Sequence, residues 1–184
     1  MMQQWIVLNK VLVFFRHFHS QEKKMTTVIK DIGPKPNAFD LENVTVGNTN
    51  YRTIAWTGTY LQLTLMSIPV GASVGLEMHP DTDQFLRLDA GKGRVKVGPT
   101  KDTFTFEQDV ADGWCMMIPA GNWHDVINTG DEPMQLYALY APVHHAAAKV
   151  QPTAEDAQRD EKAGTDEPPE WTVQPHKPFP DQHG

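Results

Sequence analysis

The sequence predicts an all-β fold, a sandwich or barrel of short strands. Between Tyr51 and Pro142 no stretch holds a helical period, and apolar residues alternate with polar ones instead. Eight such stretches follow one another at short intervals, with Gly, Pro, Asp and Asn between them, the spacing of a sandwich or small barrel. No internal repeat is visible.

Taken in order, the first stretch is YLQLTLMSIP (60–69), which sets Leu61, Leu63 and Leu65 on one face and Gln62 and Thr64 on the other. VGLEMH (74–79) alternates in the same way. QFLRLDAG (84–91) and GRVKVG (93–98) are joined through Gly91, and TFTFEQ (103–108) and WCMMIP (114–119) follow. The turn at Pro119–Gly121 feeds WHDVIN (123–128), and MQLYALY (134–140) closes the series. Small barrels and jelly rolls bury one face of each strand, with a ligand in the mouth. Leu61, Leu63, Leu65, Leu86, Leu88 and Met116 are candidates for the inner lining.

The two ends differ from this middle. Residues 1–24 form a non-core extension. Its apolar run WIVLNKVLVFF is interrupted by Lys10, is too short to span a bilayer, and lacks the flanks of a signal peptide. QEKKM (21–25) reads as a ribosome-binding stretch taken into the frame, with Met25 as the start; a short amphipathic docking segment is the other reading. Residues 25–147 form the barrel, and 148–184 an acidic, proline-rich tail. From Gln151 onward there are eight acids against three Lys and Arg, and six of the fourteen prolines. Within it TAEDAQRDEKAG (153–164) predicts one helix, with Thr153 as N-cap and Gly164 as the stop. The rest is too polar to order itself alone, and the tail is expected to strap the outside of the barrel without building the site.

A chain of 184 residues with 40% hydrophobic content is one domain. A net charge of −7 argues against a nucleic-acid partner. Cys115 is the single cysteine, so no internal disulfide forms, which fits a cytoplasmic protein.

The chemistry concentrates in GLEMHPDTDQF (75–85). Glu77 and His79 lie two apart on a strand, so both point to one face, with Cα atoms about 6.6 Å apart. A metal about 2 Å from each ligand atom bridges that gap. Gln84 shares a face with Leu86 and Leu88. His124 shares one with Val126 and Asn128.

Gly113, Pro119, Gly121, His124 and Asn128 are spaced as in the second cupin motif, and all five positions match. Gly71, Glu77, His79, Gln84 and Gly91 have the spacing of the first motif, with two residue types changed. Glu77 stands where the family usually has a histidine, and Gln84 where it usually has a glutamate. The chain therefore resembles the cupin superfamily over roughly Tyr51 to Pro142. The resemblance implies a jelly-roll β-barrel whose metal ligands, carried over by position, are Glu77, His79, Gln84 and His124. The usual set contributes one negative charge, and so does this one. Two nitrogens and two oxygens suit a divalent transition metal such as Mn, Fe, Co, Ni or Zn. A metal-free cupin using His124 or Glu77 as acid or base on a sugar is the alternative. Asp81 and Asp83 read as solvated loop acids, and His144 and His145 as a loop pair.

The resemblance allows a small-molecule ligand and a homodimer, with no stable membrane anchor. Fold does not fix the reaction. Glu77, His79 and His124 make up a two-histidine, one-carboxylate set by type, which favours dioxygenase-type chemistry. A sugar isomerase or epimerase, or a non-enzymatic binding barrel, is the competing expectation.

Overall fold

The structure, a computed structural model, describes residues 28–174. The extension at 1–24 lies outside the described residues. Ten strands form two antiparallel sheets. In chain order they are β1 (Arg52–Thr57), β2 (Gln62–Ile68), β3 (Glu77–Met78), β4 (Asp83–Ala90), β5 (Lys92–Gly98), β6 (Phe106–Ala111), β7 (Cys115–Ile118), β8 (Trp123–Asn128), β9 (Met134–Ala141) and β10 (Val150–Gln151). One sheet runs β10-β1-β2-β9-β4-β7 and the other β3-β8-β5-β6. Helix α1 spans Leu41–Gly47 and α2 spans Ala154–Lys162. The strand pattern predicts a sandwich or barrel, and the two sheets form the jelly roll that the resemblance implies.

The main core fills the space between the sheets. Met66, Leu86, Leu88, Met116, Leu136 and Ala138 come from the larger sheet, and Val95, Val97, Val110 and Val126 from the smaller. A second, outer core lies on the other face of the larger sheet. There Leu63, Leu65, Ala55 and Tyr137 pack with Val44 of α1. α1 is capped by Asp40, whose side chain accepts from the Asn43 N–H.

This outer core corrects one expectation. Leu63 and Leu65 do not line the barrel, and Leu61 is exposed. The inward residues of β2 are Gln62, Thr64, Met66 and Ile68. Their partners on β9 are Tyr140, Ala138, Leu136 and Met134. Both faces of this strand are covered, so apolar alternation marks α1's side as strongly as the barrel's side. Leu86, Leu88 and Met116 do face inward.

The chain after Ala147 folds back onto the barrel. β10 pairs with β1 through Arg52↔Gln151 and Thr53↔Val150. α2 begins with a capping box between Thr153 and Asp156 and is followed by Gly164 at φ 64°. The helix is the one predicted.

Candidate metal centre

Glu77 and His124 are direct cross-strand partners on β3 and β8, which sets their side chains side by side. His79 follows immediately after β3. Two bonds tie its loop to the turn before β8. The Gly121 N–H donates to the His79 carbonyl (2.8 Å), and the Ala120 N–H donates to Asp83 Oδ1 (2.9 Å). Asp83, although exposed, is therefore a fastener of the turn as well as a loop acid. Gly121 takes φ 77°, a left-handed conformation that favours glycine. Asn128 fixes the far end of β8. Its amide donates to the Ile68 and Glu132 carbonyls (2.9 and 2.8 Å), and its oxygen accepts from the Gly130 N–H.

Both imidazoles converge on one carboxylate oxygen. Nε2 of His79 lies 3.2 Å from Glu77 Oε1, and Nε2 of His124 lies 3.4 Å from the same atom. One ligand atom from each of Glu77, His79 and His124 falls within 4.8 Å of the others, a spacing that one bound ion spans. His79 and His124 are buried; the Glu77 side chain is 25% exposed. Nδ1–H of His124 donates to the Asn122 carbonyl (3.1 Å). That bond leaves Nε2 with its lone pair toward the cluster. Its contact with Glu77 Oε1 lacks hydrogen-bond geometry, so beyond that ion-pair contact this buried Nε2 has no partner.

Gln84 lies on β4 of the other sheet. It is 3% exposed and sits opposite Tyr140 on β9 and Ile118 on β7. Its amide is a hydrogen-bond partner of the Tyr140 hydroxyl, and its Oε1 is buried without a partner. The Tyr140 ring is 5.7 Å from that of His79. Buried polar atoms are normally paired, so two orphans here call for an explanation. Two imidazole nitrogens, one carboxylate and one amide oxygen fit a divalent ion.

The electrostatics suit this donor set. Burial pushes the Glu77 carboxyl up, but the imidazoles of His124 and His79 more than offset it and hold it well below the usual carboxylate range. Burial, then the Glu77 charge, raises the Tyr140 phenol far above its ordinary value, so it stays a neutral O–H.

Sequence reasoning missed the layer of side chains behind this cluster. His144 stacks on Tyr140 (5.6 Å, 15°) and sets its ring edge on His79 at 4.1 Å. Burial drops its pKa to about 3. His145 is buried and its Nδ1 lies 3.0 Å from Asp166 Oδ2. Arg52, also buried, lies 3.3 Å from the same oxygen. The tail thus sends Asp166 to the barrel wall. The pair His144–His145 was visible in the sequence. Its partner Asp166 lies in a polar tail, and Arg52 is 114 residues away from it, so no local spacing links them.

Residues 64–140 match the profile of the Cupin domain. The chain is 41% identical over 155 residues to the Uncharacterized protein YrkC of Bacillus subtilis (strain 168), covering 83% of each. It is 33% identical over 122 residues to the Uncharacterized protein L612 of Acanthamoeba polyphaga mimivirus, covering 66% of this chain and 71% of that protein. The crystal structure of BH2720 from Bacillus halodurans superposes with a TM-score of 0.70 at 44% identity, over 71% of this chain and 99% of that one. The chain belongs to the cupin superfamily.

Proposed function

In this cupin we propose that Glu77, His79, Gln84 and His124 hold one divalent first-row transition ion (Mn, Fe, Co, Ni or Zn) and present it to a small organic molecule. Dioxygenase-type chemistry is the favoured use. The observation that carries the reading is the Glu77–His79–His124 cluster, in which buried His124 Nε2 makes no hydrogen bond; Gln84, whose buried Oε1 also lacks one, joins the set by its motif position. An ion of this kind supplies Lewis acidity toward a carbonyl or enolate oxygen and, as iron with two histidines and one carboxylate, reactivity toward dioxygen.

The residues around the cluster have separate tasks. Glu77 contributes the one formal negative charge of the set. Asn122 holds His124 in the tautomer that points Nε2 inward. Tyr140 offers a neutral hydroxyl near His79, and the stacked His144 ring covers that side. Leu86, Leu88, Met116 and Ala138 exclude water from the space behind. Pairing with a second copy is supported by the edge position of β7 in its sheet and by the exposure of Met117.

The test is oxygen uptake by protein loaded anaerobically with Fe(II), against a set of small enolisable diketones and phenols. Uptake with at least one of them, lost in His124→Ala, is expected. No uptake by protein that retains its iron would remove the dioxygenase reading.

A further inference from the structure

The metal cluster lies where β8 begins and β9 ends. At the opposite end of these strands, where β8 ends and β9 begins, the surface holds a cleft of about 570 Å³, within the size range of small-molecule sites. Tyr51, Pro69, Ala72, Pro133, Pro152 and Ala154 give it an apolar lining, and Glu132 and Glu155 place two exposed carboxylates on it. The three prolines are exposed. An apolar concavity left open to water marks a place for an occupant.

The walls of this cleft are fixed by bonds within the protein. Asn128 joins three of its segments. Its side chain donates to the Ile68 and Glu132 carbonyls, and its backbone N–H to the Ala72 carbonyl (2.8 Å). Ile68 and Glu132 directly precede the lining residues Pro69 and Pro133. Tyr51 links the start of α2 to the loop before β3. Its N–H donates to the Pro152 carbonyl (3.0 Å), and its hydroxyl to the Val74 carbonyl (2.6 Å) next to Ser73, which also lines the cleft. A ligand therefore meets walls that are already ordered, and little ordering cost falls on binding.

Charge sets the class of ligand. No Lys, Arg or His is among the residues that line the cleft. Two cations lie within two residues of the lining along the chain. Arg52 is already matched by Asp166 at 3.3 Å and Glu161 at 3.6 Å. Lys92 remains, against Asp131, Glu132 and Glu155, none of which makes an ion pair among the described residues. The N-terminus of α2 does not reverse this balance, because Glu155 and Asp156 stand in its first turn.

We propose that this cleft binds a small organic amine, a protonated amino group on a compact apolar body. The body lies against the prolines, Ala72 and Ala154, and the ammonium group donates to the carboxylates of Glu132 and Glu155. The site is separate from the metal cluster and does not rest on the metal reading. One wall belongs to α2, so an occupant also fastens the tail to the barrel.

The experiment is isothermal titration of phenethylamine, tryptamine and cyclohexylmethylamine, each against the alcohol of the same skeleton, into full-length protein before and after treatment with a chelator. At least one amine binds about fivefold or more tightly than its alcohol, the scale of one or two exposed ion pairs. Glu132→Gln combined with Glu155→Gln, two exposed changes that keep shape, removes that advantage and leaves the affinity for the alcohol as it was. Chelator treatment changes neither affinity, and the bound amine slows amide exchange in α2. Equal binding of amine and alcohol, no binding of any amine, an advantage that survives the double substitution, or exchange in α2 unmoved by a saturating amine overturns the site. An amine that binds only before chelation is a ligand of the metal, and overturns it as well.

Discussion

His124 and Gln84 each leave one buried atom without a hydrogen-bond partner, yet they are not equivalent. His124 Nε2 is a nitrogen donor aimed by Asn122, and nothing else in the barrel replaces it. Gln84 Oε1 is a neutral amide oxygen, and a water molecule can stand in for it. His124→Ala and His79→Ala are expected to lower metal affinity by more than about a hundredfold, and Gln84→Ala by about tenfold, measured by competition with a chelator. The exchange Glu77→His with Gln84→Glu restores the usual cupin set and is expected to bind at least as well as the wild type. His145 gives a prediction independent of metal. Burial, then the Arg52 charge, lowers its pKa to about 4 from an ordinary 6.5, against the opposing pull of Asp166. Between those two values the unfolded chain binds a proton that the folded chain does not. The contribution of neutral His145 to stability is thus fully present above about pH 6.5 and is lost as pH falls toward 4, with a slope of about 1.4 kcal/mol per pH unit at most. Urea titrations at pH 7.5, 5.5 and 4.5 check this, and the slope should flatten in His145→Gln.

The strands show what alternation does and does not encode. β8 was legible to the residue, because WHDVIN is bounded by the turn at Gly121 and by Asn128, and its inward side chains are His124, Val126 and Asn128. β4 was legible on the same grounds, with Gln84, Leu86 and Leu88 inward. β2 was legible as a strand but read the wrong way round. Its leucines face α1, a helix that the sequence did not announce, and its polar Gln62 and Thr64 face the interior. Gln62 points inward because its side chain bonds the Thr57 hydroxyl and the backbone of His145. The fastening of elements is testable at Asn128, which ties the end of β8 to the end of β2 through the Ile68 carbonyl and holds the following turn through Glu132 and Gly130. Asn128→Ala removes all three bonds and is expected to destabilise the protein by about 2–3 kcal/mol, read as a lower urea midpoint at unchanged m-value.

At the scale of the molecule, the barrel and the described part of its tail, residues 148–174, form one structure. The cluster of Glu77, His79 and His124 was readable from two motifs, Gly71 to Gly91 and Gly113 to Asn128. The support behind it was not, because Arg52, His145 and Asp166 meet only after the chain has closed the barrel and come back across it as β10 and α2. Asp166→Ala leaves the Arg52 guanidinium buried beside a histidine without its closest anion. The expected loss is about 3–5 kcal/mol, measured by denaturant unfolding, and Arg52→Met in the same chain should recover part of it. The central claim is that this cupin is a metal holder built on Glu77, His79, Gln84 and His124. The most direct measurement is elemental analysis of full-length protein purified without added metal and after equilibration with Mn, Fe, Co, Ni and Zn in turn, wild type beside His124→Ala. About one divalent ion per chain in the wild type, lost in the variant while its fold is retained by circular dichroism, is the predicted result. Equal metal content in the two proteins, or none in the wild type with every ion offered, would contradict it.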